Sequence, residues 1–86
     1  MNWDGMLGFE RDAFGREIQV WLDDGNGSAL STKVTVPVST FQNVLRSCNA
    51  LDEGTIGFFD AMALQMQAVR VQKVDCVLQR LGIKRL

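Results

Sequence analysis

The sequence predicts an α+β domain, a three-stranded antiparallel sheet packed on two helices in the order β-β-β-α-α. Three observations lead to this. Up to Val38 apolar and polar residues alternate with a period of two, the pattern of half-buried strands. From Ser39 onward apolar residues recur every three or four positions, as on one face of a helix. Strands first and helices after is the order of a segregated α+β fold, not of alternating βα units. At 86 residues, 47% hydrophobic and 22% charged, the chain has globular composition and the length of a single domain covering 1–86. A chain this short buries only about 60% of the surface its unfolded form exposes, so association with a second copy would help it.

Each element has its own signal. Leu7 and Phe9 mark a short strand, expected at the sheet edge, before a tight turn at Asp12-Ala13-Phe14-Gly15 whose glycine supplies the left-handed residue. In the second strand Ile18, Val20 and Leu22 face the core while Glu17, Gln19 and Trp21 face away. Residues 23–28, DDGNGS, form a loop, and Val34, Val36 and Val38 resume the alternation. Pro37 cannot donate to a ladder, which places it at a strand end or an edge. Ser39 and Gln42 have the spacing of a capping box that opens a helix running to about Leu51, with Phe41, Val44, Leu45 and Cys48 as its apolar stripe.

Residues 55–81 contain no proline and one interior glycine, Gly57, and predict one long helix. Its stripe is Phe59, Ala63, Met66, Arg70, Val74, Val77 and Leu81, interrupted only by Arg70, with Met62 and Met66 as adaptable core filler. Gly82 is a natural C-cap, and Lys84 and Arg85 follow as a short tail.

Composition argues against several chemistries. Without histidine the chain has no His-dependent triad and lacks the commonest metal ligand. Asp24, Asn26 and Ser28 resemble the opening of a calcium loop, but the sixth position is Ala29 and the twelfth Thr35. Gly25 and Gly27 lack the third glycine of a dinucleotide fingerprint, since Leu30 stands there. The acids Asp52, Glu53 and Asp60 suit a helix N-terminus without any catalytic role. No catalytic residue, cofactor or metal site is therefore expected. Cys48 and Cys76, 28 residues apart and outside any C-x-x-C pairing, read as buried free thiols. Neither a basic, apolar leader nor an apolar run of about 18 residues is present, so the expected compartment is a reducing cytoplasm with no membrane partner.

The formal net charge of −1 provides no bulk attraction to nucleic acid. Its distribution is uneven: residues 1–30 hold six acids and two bases, and residues 61–86 five bases and one acid. Trp21 points away from the core-facing residues, beside Thr35 or Lys33, as cover for the Trp3 region, a dimer surface or a ligand contact. Leu64, Val71 and Leu78 recur at seven-residue spacing on one flank of the long helix, a seam suited to a second copy. Trp21, Leu64, Val71 and Leu78 are thus the interaction candidates.

Arg16-Glu17-Ile18-Gln19-Val20-Trp21, the junction from Val38 to Leu45, and Gly57-Phe58-Phe59-Asp60-Ala61 opening the last helix resemble a bacterial family, domain of unknown function 1488, over residues 9–77. The resemblance implies a small bacterial protein and no assigned activity or catalytic residue. Gly25, Gly27 and the basic tail depart from the family pattern. The expectation is a non-enzymatic cytoplasmic interaction or structural protein acting as a homodimer. Its rival is a small regulator or inhibitor, of phage or mobile-element origin, that docks on a larger machine through its acidic sheet end or its basic helix end.

Overall fold

The computed structural model describes residues 4–12, 14–60 and 66–86. It is α+β with an antiparallel sheet, as expected, but the described residues form four strands and three helices: β1 (Gly5–Arg11), β2 (Glu17–Asp23), β3 (Val34–Pro37), α1 (Val38–Ser47), α2 (Glu53–Phe58), β4 (Met66–Val71) and α3 (Val74–Leu81). The strand order is β3-β2-β1-β4. Leu7, Phe9, Ile18, Val20 and Leu22 point to one face and form a single core with Phe41, Leu45, Ile56, Phe59, Val74, Val77 and Leu81 from the helices. Among the described residues the helices thus cover one face of the sheet and none lies on the other.

The β1–β2 hairpin turns where the sequence indicates. The Gly15 N–H donates to the Asp12 carbonyl, and Gly15 has a φ of 70°. β1, however, is a central strand seven residues long, because β4 pairs along its other side with Leu7 opposite Val69. The long helix over residues 55–81 is the main correction. Residues 53–58 are helical, 66–71 are a strand and helix resumes at Val74; residues 61–65, with Met62, Ala63 and Leu64, lie outside the described residues. Arg70 interrupts a helical stripe but fits a strand, on the open face between the inward-facing Val69 and Val71. The β-branched valines favour the pleated alternative, which also completes the sheet against β1.

α1 has the expected stripe: Phe41, Leu45 and Cys48 are buried and Val44 packs against them. Its start differs, since Pro37 is the N-cap and no side chain caps it, so Ser39 and Gln42 form no capping box. Gln42 is buried and its Nε2 donates instead to the Ile56 carbonyl at 3.0 Å, tying α1 to α2. The helix stops at Ser47, earlier than expected, because Asn49 takes the left-handed conformation with φ 52°. The Asn49 and Ala50 N–H groups donate to the Arg46 and Leu45 carbonyls, a Schellman ending with Asn in the usual glycine position. α3 ends the same way at Gly82, whose capping role the sequence foretold.

Cys48 and Cys76 are joined in a disulfide, which corrects the free-thiol expectation. The end of α1 and the first turn of α3 face each other once β4 has carried the chain back to the sheet, with the two Cα atoms 6.0 Å apart. The Gln72 N–H donates to the Ala50 carbonyl at 2.9 Å alongside. No described helix is long and apolar enough to cross a membrane.

Candidate interaction surfaces

The open face of the sheet is built from the residues that alternate with the core set. Glu10, Glu17, Lys33, Thr35, Ala68 and Arg70 are exposed there, around the indole of Trp21. Trp21 is only 4% exposed. It lies over Gly8, its cross-strand partner, and a Cβ at position 8 would overlap indole atoms Cε2 and Nε1. Glycine in this central strand is therefore a requirement of close approach. The Trp21 Nε1 donates to Asp23 Oδ1 at 3.3 Å, and the Lys33 ammonium stands 4.5 Å from the ring centroid, a cation–π contact. Of the two neighbours that the strand alternation offered for Trp21, Thr35 or Lys33, it is Lys33 that stands over the ring.

Asp23 links this indole to the loop that follows. Its Oδ2 accepts from the Gly25 N–H at 2.9 Å and the Gly27 N–H at 3.4 Å. Asp24 accepts from the Asn26 and Ser28 N–H groups, and these bonds hold its carboxyl below the usual value. Gly25 and Gly27 have φ of 90° and 94°, conformations that favour glycine. A cleft of about 200 Å³ runs from Trp21 and this loop to Gln67 and Ala68 on β4. That is smaller than an ordinary small-molecule site. Trp21 is thus fixed in the sheet by its own chain, and Trp3 lies outside the described residues.

The other candidates part company. Val71 is 1% exposed at the end of β4 and Leu78 is 4% exposed on α3, both inside the intrachain core, while Leu64 lies outside the described residues. The seam from Leu64 to Leu78 required one continuous helix, but Val71 ends a strand and Leu78 lies on α3 beyond a turn, so the two share no helical flank.

Sequence reasoning passed over the end of the sheet at the β1–β2 turn. Phe14 is 84% exposed in that turn and Phe58 is 62% exposed near the end of α2. Arg11 fastens the two segments together: its Nη1 donates to the Phe59 carbonyl at 2.8 Å and its Nη2 to the Gly15 carbonyl. Phe59 itself turns inward and packs edge to face on Phe9 and Phe41, at centroid distances of 5.0 and 5.1 Å. Exposed Asp12, Glu17 and Asp60 accompany the two outward phenylalanines. The available signals were a large apolar residue inside a turn and the Phe58-Phe59 pair, of which only one member can face the core. Among the described residues no group of His, Cys, Asp and Glu side chains could hold a metal ion. Compared with family models, curated proteins and solved structures, the chain matches none.

Proposed function

We propose that this chain is a non-enzymatic interaction protein that works as a homodimer and presents its Phe14–Phe58 end to a protein partner. The observation that carries this reading is the Arg11 clamp, which ties the backbone of the Phe14 turn to the end of α2, where two aromatic side chains are exposed. Aromatic side chains bury a large area with few rotatable bonds when they dock, which is why such residues concentrate at interface centres. The acidic residues beside them suit a basic rim on the partner. A small regulator that docks on a larger machine through an acidic end of its sheet would use the same surface, whereas one that docks through its basic helix end would not.

The test is quantitative affinity capture in the native host with the parent and with Phe14→Ser/Phe58→Ser, beside light scattering of both proteins. A partner held by the parent and lost by a folded variant supports the reading; identical partner sets remove the aromatic end from it. We also propose the resemblance to the bacterial family of unknown function, on the segments that became β2, α1 and the end of α2. The same reading places the chain in the cytoplasm, where a disulfide persists only transiently. Thiol alkylation at lysis checks this, because a fully formed Cys48–Cys76 bond in growing cells assigns an oxidising compartment instead.

A further inference from the structure

We propose that the outer edge of β4 is the homodimer interface, where it pairs antiparallel with β4 of a second copy to make one eight-stranded sheet; this rests on the homodimer reading above. Alternate residues of a strand send their backbone groups to opposite sides. Gln72, directly after β4, donates its N–H away from β1 to the Ala50 carbonyl, so residues 70, 68 and 66 aim their N–H and C=O groups outward as well. Among the described residues the Gln72–Ala50 bond is the one backbone bond on that side, and nothing pairs with the edge at residues 66–70. Of the usual protections of an edge strand it has one charge, Arg70, and neither a proline nor a bulge.

The opposite edge is defended. β3 has four residues and ends in Pro37, and beyond its other end Ser31 bridges to Arg85 while the Thr32 N–H donates to the Lys84 carbonyl at 2.8 Å. The chain's own tail occupies that side. An antiparallel pair of identical strands is related by a twofold axis and closes, so it gives a dimer and not a fibre. The outward set 66, 68, 70 allows a centred register in which Ala68 faces Ala68 of the second copy and position 70 faces position 66. No like charges stand opposite each other in that register, and the small, exposed Ala68 lies at the axis. Six residues per copy span about 20 Å of paired edge.

Sedimentation equilibrium of the parent should give twice the 9.6 kDa chain mass at high concentration. Ala68→Pro removes an outward N–H without touching the β1 ladder; it should stay folded by circular dichroism and self-associate about 100-fold more weakly. Thr35→Pro, the matching change on the β3 edge, should remain dimeric. If Ala68→Pro fails to fold, cross-linking decides: with the native cysteines paired, Ala68→Cys treated with a short bismaleimide should form a covalent dimer and Thr35→Cys should not. A dimeric parent with a folded, dimeric Ala68→Pro, or with no Ala68→Cys cross-link, overturns the β4 assignment alone. A parent that is monomeric up to about 1 mM overturns the homodimer itself.

Discussion

The two edges of the sheet solve the same problem by opposite means. On the β3 side the strand itself is placed by the hairpin before it, and its edge ends in a proline while residues 30–32 beyond its other end are covered by residues 84–86 from far along the sequence. On the β4 side the strand arrives late in the sequence and is held from behind, by Val69 and Val71 in the core, by the Gln72–Ala50 bond and by the disulfide from α1 to α3. The difference teaches that β4 depends on distant contacts for its place, whereas β3 follows from the hairpin before it. Damage to the packing behind β4 should therefore cost far more than damage to the β3 edge.

The largest effect is expected from Leu78→Glu. Leu78 packs in the core shared by α3, the sheet and α1, so the change puts an unpaired carboxylate where nothing can solvate it. A loss of more than about 4 kcal/mol, most of the margin of a small domain, should leave the protein largely unfolded. Thr35→Lys on the exposed face of β3 should change stability by less than about 0.5 kcal/mol. Urea melts of the two variants measure the contrast directly. A folded, monomeric Leu78→Glu would return Leu78 to an interface and break the comparison.

Next comes the disulfide. For a loop of 28 residues, chain-entropy arithmetic yields about 3.6 kcal/mol of stabilisation. Cys48→Ala/Cys76→Ala should therefore lower Tm by roughly 15–30 °C in a domain of this size. Hydrogen exchange should locate the loss, with β4 and α3 amides losing protection before those of the β1–β2 hairpin. Equal loss across all four strands would show that the β4 side is no more dependent on remote contacts than the β3 side.

This division also explains what was legible in the sequence. The β1–β2–β3 succession and the stripe of α1 rest on local alternation, a turn glycine and short-range packing, all visible residue by residue. β4 was hidden because the Val69-Arg70-Val71 segment and its neighbours fit a helical period nearly as well as a strand period. Only the vacant side of β1 decides between them, and that is a tertiary fact. Reading residues 55–81 as one helix kept Cys76 away from Cys48 and made Val71 and Leu78 look like a shared flank. Of the interaction candidates, Trp21 was placed on the correct face, yet nothing local said that Gly8 opposite would let the indole lie flat. Phe14 and Phe58 were overlooked because each falls outside the periodic stripes, one inside a turn and the other beside a core residue, so no sequence pattern joins them.

A smaller effect tests the β3 side. Removing residues 84–86 deletes the Lys84 bonds with Thr32, the bond from the Leu86 N–H to the Leu30 carbonyl, and the exposed Arg85–Asp75 ion pair. These groups are solvent-accessible, so the loss should be about 1–2 kcal/mol, well below that of the disulfide variant. Thermal melts at matched concentrations provide the ranking. A truncated protein less stable than the disulfide variant would reverse the order of the two edges.

The smallest effect is electrostatic and has one member on each side. Asp24, in the loop between β2 and β3, is held below its ordinary 3.8 by the Asn26 and then the Ser28 N–H. Asp52, the N-cap of α2, is held below 3.8 by the Thr55 hydroxyl and then the Thr55 N–H. A carboxyl whose folded value is depressed binds its proton more readily in the unfolded chain, so unfolding takes up protons and acid favours it. The stabilisation is complete above about pH 3.8 and disappears as the pH falls through the folded values. Carboxyl carbon shifts should titrate below 3.8 for both residues, and Asp24→Asn and Asp52→Asn should each flatten the acid limb of the stability curve while keeping an oxygen acceptor in place. Because α2 precedes β4 and depends on its cap, Asp52→Asn should also reduce amide protection in residues 53–58, whereas Asp24→Asn should affect only its own loop. Protection lost equally throughout the chain in both variants would mean that the two sides unfold as one unit even for so small a perturbation.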